Sequence, residues 1–233
     1  MGNETMDLEE LANYLQRDKR EVSKMVNRGY LPGRKIGGEW RFARAEINYW
    51  IETQLPDYTA KQLEDLETRE VPLEKRGTLL AGYLHPNQMA VPLLASTRAS
   101  VFKELVNLAD QTGNVYDPEA ILEAIRQREE MGTTALVNGV AIPHPRRPLP
   151  QALGETVVAY GRTTSGIPFG APHGGLTDIF FLVCCRDEKT HMRILARLSR
   201  LLLLRDFVND LRSAESSPET WAVIEKAEKE MIA

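Results

Sequence analysis

The stretch Gly139-Val140-Ala141-Ile142-Pro143-His144-Pro145-Arg146-Arg147-Pro148 leaves a folding chain few choices. Its apolar run reads as a short strand over 140–142, and Pro143 ends it because proline has no N–H to give a neighbouring strand. Pro143 and Pro145 fix their own φ, and each drives the residue before it toward extended backbone. His144 is therefore held on a stiff turn at a strand end. A neutral imidazole there offers one ring nitrogen as a nucleophile near cellular pH, and Arg146 and Arg147 suit an incoming phosphoryl group. A single turn histidine is by itself ordinary, so the reading depends on what else the chain supplies.

At 233 residues with 42% hydrophobic residues, the sequence accommodates two modest domains, each with its own core. No charged-then-apolar leader opens it, and its longest unbroken apolar run, 201–204, is too short to span a bilayer. The expectation is a cytoplasmic protein without membrane insertion. Cys184 and Cys185 are adjacent in a strand-like run, so they point to opposite faces and read as buried thiols, not a disulfide. They have no neighbouring ligand set for a metal, and no cofactor is expected. The formal net charge of -4 argues against indiscriminate nucleic-acid binding but permits a local basic patch.

Such a patch lies near the start. Leu8, Leu11, Ala12 and Leu15 recur at helical spacing, and Asp18 can cap a second helix over 19–28 that ends at Gly29. That helix turns Val22, Met25 and Val26 to one side and Lys19, Arg20, Ser23, Lys24 and Asn27 to the other. Two short helices so tightly joined match a helix-turn-helix, whose second helix enters a DNA major groove. Gly37-Gly38 then turns a hairpin, or wing, lined by Arg34, Lys35 and Arg41, before a third helix with Ile47, Trp50 and Ile51 inward. Over 17–44, Arg17, Lys19, Arg20, Lys24, Arg28, Arg34, Lys35, Arg41 and Arg44 face only Asp18, Glu21 and Glu39. DNA is the expected partner of this face, with weak, salt-dependent non-specific affinity; a protein-interaction module is the alternative. The ensemble, over about 6–53, resembles the excisionase/MerR-like winged helix-turn-helix, chiefly in Gly-Gly-x-Trp-Arg-Phe followed by an aromatic helix.

The charged segment 53–76, with Pro56, Pro72 and a short helix over 61–69, reads as a linker or packing strap, and the sequence leaves open where that helix docks. Beyond it, Thr97 or Ser100 caps one helix, Asp117-Pro118 opens another that runs into Arg128, and Ser217-Pro218 starts the last. Strands are expected over 134–137, 140–142, 156–160 and 179–184, and a helix over 192–204. This alternation points to an α/β sandwich around a mixed sheet. His85 and His173 read as loop and turn residues.

Three elements together now carry weight: Arg128-Glu129 followed by Gly132-Thr133-Thr134, then Gly139-Val140-Ala141-Ile142-Pro143-His144, then Thr190-His191 at a helix start. Their order resembles the IIA domain of the mannitol/fructose type in the bacterial phosphoenolpyruvate:sugar phosphotransferase system (PTS), including its nitrogen-regulatory branch, from about residue 78 onward. The domains expected are thus a winged helix-turn-helix at 1–55, a linker at 56–76 and a IIA domain at 77–233. The resemblance implies that His144 accepts a phosphoryl group, that Arg128 grips its oxygens, and that His191, after Thr190 as helix cap, adds a hydrogen bond where the helix dipole favours an anion. It implies an HPr-type phosphocarrier as donor, with a IIB subunit or a regulatory protein as the further partner, and makes the chain an enzyme only as a phosphohistidine phosphotransferase component. Many members carry glycine, then lysine, after this histidine; Pro145-Arg146 here removes one backbone N–H while keeping a cation. The reading preferred is a regulator in which phosphorylation controls DNA binding; a transport phosphocarrier and an unphosphorylated binding scaffold are the alternatives.

Overall fold

The computed structural model describes residues 5–69, 71, 77 and 79–232. Pro72, the expected linker end at 76 and residue 78 lie outside the described residues. Two compact units divide the chain, Met1–Asp57 and Tyr58–Ala233.

In the first unit, β1 (Thr5–Met6) leads into α1 (Leu8–Leu15), α2 (Lys19–Asn27), the hairpin β2 (Arg34–Ile36) and β3 (Glu39–Ala43), and α3 (Arg44–Gln54). Asp7 caps α1 through the amides of Glu9 and Glu10 while the Glu10 carboxylate returns to the Asp7 amide, a reciprocal capping box. Asp18 caps α2 through the Arg20 amide, and Gly29, at φ 75°, stops it. The wing turns on Gly37 and Gly38 at φ 62° and 88°, a conformation that favours glycine at both places. Leu11, Val22, Phe42, Ile47 and Ile51 form the buried centre. Met25 and Trp50, expected inside, are only half-buried, because they sit at the margins of their helices' apolar stripes. The strand β1 was not legible: two residues are too few to show a period, yet they pair antiparallel with β3, giving a sheet of order β1-β3-β2.

The second unit begins with α4 (Ala60–Thr68), capped by Thr59 with Gln62 returning to it. A short strand β4 (Met89–Ala90) precedes α5 (Arg98–Asp110) and α6 (Pro118–Glu130), capped by Thr97 and Asp117 as their sequences predict. Next come β5 (Val140–Ala141), β6 (Val157–Pro168), β7 (Leu176–Cys184), α7 (Glu188–Leu202), α8 (Phe207–Ser213) and α9 (Ser217–Ile232). The sheet runs β4-β6-β7-β5, with the outer pairs parallel and β6–β7 antiparallel. This is the mixed-sheet α/β arrangement expected. Alternation sorts its residues: Val157, Ala159, Phe180, Leu182 and Cys184 pack under α5 and α6, while their strand neighbours face the other way.

Three expectations need correction. The segment 134–137 is not a strand of its own; it contributes an isolated bridge, Ala135 to Ala141, because the turn before Gly139 limits the pairing. β6 is far longer than 156–160, since Arg162, Thr163 and Ile167 continue the hairpin with β7 through a register shift. The last long apolar helix starts at Glu188 and ends at Leu202, leaving Leu203 and Leu204 exposed in a turn before α8.

Helix α4 packs on α7 through a buried ion network. Arg197 of α7 donates to Glu67 of α4 and to Glu228 of α9, the latter at 2.6 Å, and Arg200 reaches Glu67 at 2.8 Å. Glu228 also accepts from the amides of Leu79, Leu80 and Ala81 at 2.8–3.1 Å. Among the described residues no helix is long and apolar enough to cross a membrane.

Candidate functional site

Strand β5 delivers His144 to the C-terminal end of the parallel β5–β7 pair, and Pro143 stays in register by accepting from the Val183 amide at 3.0 Å. The His144 ring turns back so that Nδ1 lies 2.7 Å from the Ile142 carbonyl oxygen. A carbonyl oxygen only accepts, so Nδ1 carries a proton, and in the neutral ring the lone pair is on Nε2. His191, on α7, meets it edge-on with ring centroids 5.2 Å apart, and both rings are buried. These two site residues, distant in sequence, are thus brought together.

The first turn of α7 differs from expectation. Asp187, not Thr190, is the cap: its carboxylate accepts from the Thr190 amide and hydroxyl, each at 2.8 Å. A carboxylate at N-cap satisfies the N3 amide better than a threonine three residues later would. His191 is consequently the fourth residue of the helix, its amide bonded to the Asp187 carbonyl, so it presents its ring and not an open amide.

Arg128 is buried near the C-terminal end of α6, and its guanidinium donates to the Gly132 carbonyl at 3.1 Å. The loop it braces runs beside β5, where the Ile142 amide bonds the Thr134 carbonyl. Sequence reasoning gave Glu129 no role. Its buried carboxylate accepts from the Thr133 hydroxyl (2.9 Å), the Thr134 amide (3.0 Å) and the Thr134 hydroxyl (2.7 Å). An acid four and five residues before two threonines across a glycine was the available signal. Of the arginines after His144, Arg146 is half-buried and Arg147 exposed.

The residues expected to face DNA all lie in the first unit. Arg20, Lys24 and Asn27 project from α2 into solvent, and Ser23 is half-buried. Three other cations are already engaged: Lys19 with Glu9 at 2.9 Å, Arg34 with Glu46 at 3.3 Å and Arg41 with Glu39 at 2.8 Å. Lys35 lies over the Trp40 ring, 5.2 Å from its centroid. His85 and His173 are exposed, in a short 3₁₀ segment's approach and in a positive-φ turn. Burial raises the Cys184 thiol to about 12, and Cys185 well above its ordinary value; both are free.

A family model described as phosphoenolpyruvate-dependent sugar phosphotransferase system, EIIA 2, matches residues 83–227, and a helix-turn-helix domain model matches 5–55. The chain is 28% identical over 134 residues to the PTS system fructose-specific EIIABC component of Bacillus subtilis, a match covering 57% of this chain and 21% of that protein. It is 30% identical over 142 residues to a nitrogen regulatory protein of Bradyrhizobium diazoefficiens, covering 60% of this chain and 90% of that one. The nitrogen regulatory protein IIA-Ntr of Neisseria meningitidis shares the fold of the second unit, with TM-score 0.57 at 22% identity over 63% of this chain and 99% of that one. With the mixed sheet, the His144–His191 pair and these similarities together, the chain belongs to the EIIA type-2 family of the phosphotransferase system and carries an excisionase-like helix-turn-helix domain ahead of it.

Proposed function

We propose that this chain is a regulatory IIA protein in which His144 accepts a phosphoryl group from an HPr-type phosphocarrier, and the charge so acquired governs DNA binding by the winged helix. The observation that carries the reading is the 2.7 Å contact from His144 Nδ1 to the Ile142 carbonyl, which fixes the tautomer and makes Nε2 the nucleophile. In transfer, the donor's N–P bond breaks as the Nε2–P bond forms, the donor nitrogen keeps the electron pair of the broken bond, and the proton stays on Nδ1, donated to the Ile142 carbonyl. His191, beside the acceptor ring, supplies a hydrogen bond to a phosphoryl oxygen, and Arg128 adds positive charge from the end of α6, beside the loop it braces.

The link to DNA rests on chain connectivity. Only Tyr58 and Thr59 separate Asp57, the last residue of the winged-helix unit, from α4, which is ion-paired to the helix that carries His191. A change in the first turn of α7 therefore acts on an element two residues from the DNA-binding unit. Arg20, Lys24 and Asn27 are the residues assigned to the groove, and Arg34, Lys35 and Arg41 those assigned to the wing.

The test is phosphotransfer from phosphoenolpyruvate, enzyme I and HPr, or their nitrogen-branch counterparts, to wild type and His144→Ala. An acid-labile, alkali-stable phosphoryl group on wild type alone is expected, with duplex affinity that differs between the two phosphorylation states. No label from any donor would refute the carrier chemistry. Lys24→Ala and Arg41→Ala binding DNA like wild type would refute the DNA assignment.

A further inference from the structure

The cations of the winged helix are not equally available. Among the described residues, Arg20, Lys24 and Arg28 have no ion-pair partner, and they recur at i, i+4 and i+8 along α2 and its C-cap, Arg28. Lys19, Arg34 and Arg41, in contrast, each hold a carboxylate from a different element: Glu9 on α1, Glu46 on α3 and Glu39 on β3. Arg34 and Arg41 are also direct cross-strand partners on the wing. Like charges placed opposite each other destabilise a two-stranded ribbon, so this register calls for an anion on that face. The Asp7 carboxyl is held below its usual value by the Glu10 amide first, then by the Glu9 amide and by the charges of Arg41 and Lys19.

Resting on the DNA-binding reading above, we infer that Glu9, Glu46 and Glu39 stand in for backbone phosphates in the free protein. The winged helix then engages a duplex by exchanging three carboxylates for three phosphates. Each pair is exposed, so each holds its cation weakly and yields readily to a polyanion. Exchange also limits counterion release: a phosphate contact made by a previously paired cation frees a carboxylate that attracts cations in turn. The three acids thereby suppress indiscriminate binding and leave discrimination among sequences to Arg20, Lys24 and Arg28, an arrangement that disfavours wrong partners instead of strengthening the right one.

The experiment titrates the full chain with a labelled random-sequence duplex across a series of salt concentrations. It compares wild type, the triple variant Glu9→Gln, Glu39→Gln, Glu46→Gln, and the Lys24→Ala variant. Glutamine keeps side-chain size, and circular dichroism checks the fold. The triple variant should bind on the order of tenfold more tightly at low salt. Its slope of log affinity against log salt should steepen by up to about 0.9 for each released cation. In an Arg41→Gln background the gain from Glu39→Gln should shrink to that of an unpaired acid, taken from Asp57→Asn. A triple variant with wild-type affinity and slope, while Lys24→Ala weakens binding, would overturn the exchange and spare the DNA reading. A gain from Glu39→Gln that survives intact without Arg41 would also overturn it. Failure of wild type and triple variant alike to bind the duplex would remove both.

Discussion

Replacing Arg197 by methionine tests whether α4 is an integral part of the phosphotransfer unit. Arg197 and its two acid partners are fully or almost fully buried, and burial alone would disfavour the guanidinium charge. The hydrogen bonds and charges of Glu67 and Glu228 outweigh that penalty and raise its pKa above the ordinary value. Removing it leaves two carboxylates in a dry interior, and breaking such a pair costs about 3–5 kcal/mol. Both acids keep partial compensation, Glu228 from three backbone amides and Glu67 from Arg200, which places the expected loss near the lower end, about 3 kcal/mol. For a unit of this size that is a drop of roughly 6–12 °C in melting temperature. It is also on the order of a hundredfold more frequent opening of the β6–β7 amides by hydrogen exchange, a readout that separates this unit from the winged helix. The companion variant Arg197→Met, Glu67→Gln, Glu228→Gln removes the stranded charges and should recover most of the loss. A single variant within about 1 kcal/mol of wild type, or a triple variant no better than the single, would refute the reasoning.

Gly139→Ala should destabilise the second unit by about 2 kcal/mol or more, read by urea unfolding, since the residue sits at φ +83° and a Cβ would lie 2.5 Å from Arg212 Nη2 and 2.9 Å from Asp178 Oδ1. Glu129→Ala strands the buried Thr134 amide and should cost about 1–3 kcal/mol, while slowing phosphotransfer more than Glu130→Ala, an exposed neighbour, does. Cys184 favours its neutral thiol in the fold, with its pKa raised to about 12, so its contribution to stability is complete below the ordinary value of 9.0. That contribution declines above 9.0, where the unfolded thiol ionises first, until the folded one does so too; Cys184→Ala should flatten this alkaline loss in a pH series of denaturant melts.

Much of the site was legible because its logic is local. Two prolines around His144, a glycine pair in the wing, and Asp18, Thr97 and Asp117 before α2, α5 and α6 act within a few residues, and the structure places those caps and turns where their chemistry puts them. The cap of α7 was misread for the same local reason: Asp187 and Thr190 are both capable caps, and only the helix's actual start separates them. Glu129 escaped notice because an acid at the end of a helix is usually solvated, and its partners become visible only once the loop at Gly132 folds back.

What the sequence by itself determined is the set of elements and the chemistry each can carry: a stiff histidine turn, a basic helix and wing, and an apolar α/β alternation. Tertiary structure decided which of these meet. It set His144 against His191 across the end of a parallel strand pair, extended β6 well past its expected end, and docked the short helix of the charged segment, whose packing the sequence left open, through a buried arginine. The physical reason is one of range. Caps, turns and periodicity act between neighbours in the chain, whereas an ion network joining Glu67, Arg197 and Glu228 forms only when packing excludes water from side chains 130 and 31 residues apart in sequence.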